Sequence, residues 1–189
     1  MFYCLFNWFV KLTGWPIQLL CFRKKIYYED KTVQSRRIKG KAIVISNHLS
    51  VFDYPVAMFV FFGRTLRFQM SELVMKKPVL GTFLKMLGGI YVDRDSHDFA
   101  FMAKCEKILS KGGVIGICPE GRLPRKDEPR PLPFKTGAAY LALMTDTPII
   151  PSQVADPALS DKENIAALTD LMRNKTISLG KLLHEQSTE

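Results

Sequence analysis

Ala42-Ile43-Val44-Ile45-Ser46-Asn47-His48-Leu49-Ser50-Val51-Phe52-Asp53 is the stretch whose reading decides the fold. Its first five residues are an apolar, β-branched run, which predicts a short buried strand. A polar step follows, and the pattern then turns helical over residues 51–62. A strand that hands over to a helix through a short polar loop is the opening of a βαβ unit.

The same alternation continues toward the C-terminus. Strands are predicted over 65–70, 90–92, 114–118 and 149–150, and helices over 78–87, 97–111 and 136–144. Pro78 opens one helix and Gly88-Gly89 ends it, while Gly112-Gly113 closes the next. A loop rich in proline and charge runs over 121–133. The expected fold class is α/β: a mixed, mostly parallel sheet covered by helices, occupying 41–159. Residues 160–189 are polar and weakly periodic, and read as a C-terminal helical tail of that domain.

Residues 1–40 have a different character. Sixteen of the first 22 residues are apolar, and 23–41 hold eight basic residues against two acidic ones. That stretch supplies most of the formal charge of +9 in a chain of 189 residues. The Gly14-Trp15-Pro16 step predicts a break, hence a hairpin of two short helices lying in the headgroup layer. The basic stretch would then meet anionic headgroups on the cytoplasmic face. A single tilted span is the competing reading, and both keep the domain on the same side. Charges that follow rather than precede the apolar segment argue against a cleaved signal peptide. Cys4, Cys21, Cys105 and Cys118 form no CxxC pair and read as reduced thiols, without a zinc site. Nucleic acid is not an expected partner: the basic cluster adjoins an apolar segment, and no aromatic RNA-binding strand or recognition helix is evident.

His48 stands where the predicted strand ends, the usual place for ligands in α/β folds. Five residues along a helix turn by about 500°, so His48 and Asp53 meet only if the histidine precedes the helix and Asp53 lies in its first turn. With Ser50 as N-cap they would meet, and the carboxylate would fix one imidazole tautomer, leaving the other nitrogen as a base. Ser50-x-x-Asp53 also fits a capping box, which needs no catalysis. Two other predicted strands deliver arginines: 88–94 ends in Asp93-Arg94, and 118–125 reads Cys-Pro-Glu-Gly-Arg-Leu-Pro-Arg. Arginine forks suit phosphate, and glycine admits close approach of a ligand.

Together these segments resemble the glycerophospholipid acyltransferase family, most closely its 1-acylglycerol-3-phosphate acyltransferases. Asn47, His48 and Asp53 match the family's NHxxxxD block, and 89–94 its second block. Residues 118–122 match its FPEGTRS block imperfectly, 133–139 the FKxGaa stretch, and 148–151 the fourth block. Cys118 replaces a phenylalanine, the block's arginine is displaced to Arg122, and Gln69-Met70 stand where many members carry a lysine.

The resemblance implies His48 and Asp53 as the catalytic pair. It implies Asn47, Arg94, Glu120, Gly121, Arg122, Arg125 and Lys135 as substrate-binding, with Arg125 able to fill the displaced arginine's role. The implied reaction moves a fatty acyl group from a thioester donor, acyl-CoA or acyl carrier protein, to the hydroxyl of a lysophospholipid acceptor. Membrane lipids are the implied partners, and no metal or further cofactor is expected. A thioesterase or lipase using the same pair, and a catalytically silent membrane adaptor, are the competing functions.

Overall fold

A computed structural model of the chain describes residues 2–21, 26, 36–93, 99–125, 127–128 and 132–152. The elements run α1 (Phe2–Cys21), β1 (Ala42–Ser46), α2 (Asp53–Val60), β2 (Leu66–Ser71), α3 (Glu72–Met75), α4 (Pro78–Met86), β3 (Ile90–Val92), α5 (Phe99–Leu109), β4 (Val114–Ile117), α6 (Gly137–Met144) and β5 (Ile149–Ser152). The five strands form one sheet in the order β3-β2-β4-β1-β5, and every pairing is parallel. The α/β expectation therefore holds, with parallel pairing throughout the described sheet. The predicted tail over 160–189 and most of the basic stretch lie outside the described residues.

β1 explains why its sequence is apolar without alternation. Ala42 and Val44 face a core shared with Tyr54, Leu66, Phe68 and Met70. Ile43 and Ile45 face the opposite core, with Cys105, Leu109, Ile115 and Leu141. A parallel strand covered on both faces has no solvent side on which to place polar residues. Gly116, at the centre of β4, is demanded by packing: a β-carbon there would lie 2.1 Å from the Phe68 ring.

β4 inserts beside β1, with Ala42 paired to Val114 and Ile45 to Ile117. The loops that leave the C-terminal ends of these two strands are therefore neighbours, although about seventy residues separate them in the chain. That adjacency builds the site.

Two local expectations are corrected. The first is the hairpin: α1 is one helix of 20 residues that runs through Pro16. An interior proline costs roughly 3 kcal/mol, but α1 is docked on both sides of it. Asn7, Lys11 and Gln18 are buried at helical spacing. Asn7 Nδ2 donates to Leu87 O, and Lys11 Nζ to the carbonyls of Phe62 and Arg64 at 2.9 and 2.6 Å, just past the C-terminal end of α2. Burial lowers the Lys11 pKa to about 8, so at neutral pH the ammonium is protonated and donates. Gly14 lies against the Phe59 ring, and Phe6 meets Phe83 of α4 edge-on.

α1 is thus amphipathic in the inverted sense. Asn7, Lys11 and Gln18 are buried, while Phe2, Phe9, Leu12, Trp15, Ile17 and Leu20 are exposed. Among the described residues no helix is long and apolar enough to cross a membrane. Asn7, Lys11 and Gln18 interrupt the apolar sequence of α1.

The second correction is the start of α2. It begins at Asp53 with Phe52 as N-cap, not at residue 51 behind Ser50. Ser50 Oγ accepts from Phe52 N, and the Asp53 carboxylate reaches back to the amides before the helix.

Candidate active site

His48 sits in the loop between β1 and α2, and its Nδ1 lies 2.8 Å from Asp53 Oδ2. The same oxygen accepts the N–H groups of Leu49 at 2.9 Å and Ser50 at 3.0 Å. The dyad and the capping reading are therefore one arrangement: a buried carboxylate folds the loop over itself and holds the imidazole with the same atom. An oxygen already accepting two amides presents an acceptor to the ring, so Nδ1 carries the proton and Nε2 keeps its lone pair. His48 is a quarter exposed, whereas Asp53 is only 3% exposed. That contrast is what a base oriented by a shielded carboxylate requires.

Glu120, after β4, fixes the other side of the loop. Its Oε1 accepts the His48 N–H at 2.8 Å and its Oε2 the Leu132 N–H at 3.0 Å. The side chain is 4% exposed. Glu120, read from the sequence as a substrate ligand, has the geometry of a brace that ties the β1 loop, the β4 loop and the segment at Leu132 together. Gly121 closes the turn, its N–H donating to Cys118 O, and its φ of +74° lies in the left-handed region that suits glycine. Lys135 lies across that glycine, with its Nζ 3.2 Å from where a β-carbon would be, and its N–H donates to Pro119 O.

Asn47 is buried, and accepts from Ser46 Oγ through its side chain. Its carbonyl accepts from the Cys118 thiol at 3.9 Å. Burial, with the charges of Asp53 and Glu120 nearby, pushes the Cys118 thiol well above its ordinary range. Cys118 stays protonated and is no nucleophile.

A cavity of about 1010 Å³ opens beside the pair. Val10 of α1, Met58 and Phe59 of α2, Phe68 and Met70 of β2 and Leu84 of α4 supply apolar wall. His48 and Asp53 also line it, as do Gly121, Arg122 and Arg125 of the loop after β4. This volume accommodates a flexible apolar chain next to a base, with cations in its lining.

Both terminal nitrogens of Arg122 donate to Glu128, at 2.6 and 2.7 Å, and the Arg125 N–H donates to the same carboxylate at 2.8 Å. Those bonds hold the Glu128 carboxyl down at about 2 and raise the Arg122 pKa. Arg94 lies outside the described residues. The structure thus brings His48, Asp53, Asn47, Glu120, Gly121, Arg122, Arg125 and Lys135 into one neighbourhood.

Sequence reasoning missed Glu128, whose only signal was an acidic residue in a basic loop. It also missed the inward polar row of α1, which the spacing of Asn7, Lys11 and Gln18 could have revealed.

The acyltransferase family model matches residues 25–155. The chain is 28% identical over 146 residues to human 1-acyl-sn-glycerol-3-phosphate acyltransferase beta, covering 75% of this chain and 51% of that protein. It is 31% identical over 115 residues to a 1-acyl-sn-glycerol-3-phosphate acyltransferase of Borreliella burgdorferi, covering 60% and 45%. The chain spans about half the length of the curated relatives it matches. Its fold is similar to the crystal structure of the 1-acyl-sn-glycerophosphate acyltransferase PlsC from Thermotoga maritima. The TM-score is 0.55 at 18% identity, over 93% of this chain and 79% of that one. A family match that spans all five strands and the loops after β1 and β4 leaves one assignment: this chain belongs to the acyltransferase family.

Proposed function

We propose that the protein transfers a fatty acyl group from a thioester to the hydroxyl of 1-acylglycerol-3-phosphate, a step of phospholipid biosynthesis. The observation that carries this reading is the His48–Asp53 pair on a mostly apolar cavity that Arg122 and Arg125 also line. His48 Nε2 takes the acceptor hydroxyl's proton as the oxygen attacks the thioester carbonyl. The C–S bond then breaks, and the proton passes to the leaving thiolate, whose parent thiol has a pKa of only ~8.5. Asp53 stabilises the imidazolium between the two transfers. Acyl-CoA or acyl carrier protein supplies the thioester. Arg122 and Arg125 hold the phosphate, and the cavity takes acyl chain.

The decisive experiment compares lysophosphatidate, glycerol-3-phosphate and lysophosphatidylcholine as acceptors for the wild type, Arg122→Ala and Arg125→Ala. A charge-assisted hydrogen bond to phosphate is worth roughly 1.5–3 kcal/mol, so losing the arginine that holds it should raise KM for lysophosphatidate about ten- to hundredfold. The KM for the thioester should stay near the wild-type value. Lysophosphatidylcholine proving the best acceptor, or free fatty acid forming at full rate without any acceptor, would overturn the reading.

The exposed apolar face of α1 is read as the contact with the cytoplasmic leaflet, in keeping with the positive-inside placement of the basic residues that follow it. Trp15 and Leu20 are 50% and 86% exposed. Trp15→Glu and Leu20→Glu should each weaken vesicle binding about tenfold, because each exchanges buried apolar area for a charge in the headgroup layer. Sedimentation with vesicles measures it, and binding as tight as wild type in both variants would remove α1 as the contact.

A further inference from the structure

Two arginines that line the cavity already hold an anion, and that anion belongs to the protein. Both terminal nitrogens of Arg122 and the N–H of Arg125 converge on the Glu128 carboxylate. Glu128 N–H in turn donates to Arg125 O at 3.3 Å. A guanidinium fork plus a backbone amide is a donor set that serves a phosphate as well as a carboxylate. Arg122 and Arg125 line the cavity that His48 lines. A phosphate using the fork must therefore replace Glu128.

We propose that Glu128 is a placeholder in this anion site, and that the need to displace it sets a charge threshold favouring phosphomonoester acceptors over phosphodiesters. Two arginines and one glutamate leave one net positive charge. A phosphomonoester brings about −1.5 to −2 at pH 7 and out-competes a carboxylate of −1. A phosphodiester brings a single negative charge, the same as the group it must displace, and gains nothing by the exchange. The exchange is feasible because the side chains of Arg122 and Glu128 are 45% and 23% exposed. Exposed ion pairs are weak enough to be broken by a better anion.

The chemistry of the anion exchange stands on the geometry alone; only the identity of the lipid carrying the phosphate rests on the acyltransferase reading. The test therefore has a binding arm and an activity arm, both with the full chain. In the binding arm, calorimetry compares sn-glycerol-3-phosphate, a monoester, with glycerophosphoglycerol, a diester, on the wild type, Glu128→Gln and Arg122→Ala. The wild type should prefer the monoester. Glu128→Gln should narrow that preference about two- to fivefold by tightening the diester, the range that an exposed ion pair allows. Arg122→Ala should weaken both probes.

In the activity arm, Glu128→Gln should raise kcat/KM for 1-acylglycerophosphoglycerol relative to 1-acylglycerol-3-phosphate by a similar factor. A Glu128→Gln variant that keeps the wild-type preference overturns the proposal, as does one that weakens both probes, because Glu128 would then be orienting Arg122 for substrate. Failure of every form to bind either probe overturns it as well. If the binding shift appears while the wild type acylates neither lysolipid, the acyltransferase reading fails and the placeholder stands.

Discussion

His48→Ala will lower acyl transfer by about 10²–10⁴-fold, the usual worth of a positioned general base. Among the described residues that line the cavity, the imidazole is the one whose Nδ1 is committed, at 2.8 Å, to a carboxylate, leaving Nε2 to take a proton. Fold and thermal unfolding should change little, since the loop is held by the His48 backbone N–H and by Asp53, both of which survive the substitution. Asp53→Asn separates charge from shape. An amide oxygen can still accept the Leu49 and Ser50 N–H groups, so the loop persists, but the imidazolium loses its counter-charge, and the rate should fall about a hundredfold or more. Single-turnover measurement of acyl transfer, beside the melting temperature of each variant, tests both statements. Activity of His48→Ala within tenfold of wild type would remove the general-base assignment.

Glu120→Ala will cost both stability and rate. It strips two backbone amides, those of His48 and Leu132, of a buried carboxylate acceptor. Hydrogen bonds to a charged group contribute roughly 1.5–3 kcal/mol each, so the loss is about 3–6 kcal/mol. For a chain of this size that lowers the melting temperature by roughly 10 °C. The rate should fall with it, because His48 is then tethered by Asp53 alone. Glu120→Gln keeps one acceptor and turns a donor toward an amide N–H, so it should show about half the stability loss. A substrate ligand would behave differently, raising the acceptor KM while leaving the melting temperature in place. That outcome would show that the brace is not the residue's role.

Much of the architecture was legible because it is written in local patterns. The unbroken apolar run at 42–46, the proline opening at Pro78 and the paired glycines at 88–89 and 112–113 each depend on a few neighbouring residues. The predicted elements accordingly recur in the structure, with ends moved by one or two residues. His48 and Asp53 were legible for the same reason: their separation of five residues keeps the whole question within one strand end and one helical turn. The helix start was misplaced there because Asp53, rather than Ser50, satisfies the amides ahead of the helix.

α1 shows where local reading stops. Its own sequence argues for a break at Pro16, and its polar residues look like interruptions of an apolar segment. Only packing against α2 and the end of α4 turns Asn7, Lys11 and Gln18 into the docked face and leaves the apolar side chains outside. Glu120 is a second case. Its motif suggests a ligand, yet its partners lie 72 and 12 residues away, and the parallel pairing of β1 with β4 is what brings the more distant one into reach. By itself, then, the sequence determined an α/β fold with a mostly parallel sheet and a histidine–aspartate pair at a strand end. The continuous inverted helix, the carboxylate brace and the arginine fork closed on Glu128 were decided by tertiary structure alone. Propensity and periodicity act over a turn or a strand, whereas each of these three depends on where a buried or charged group finds its partner once the chain has folded.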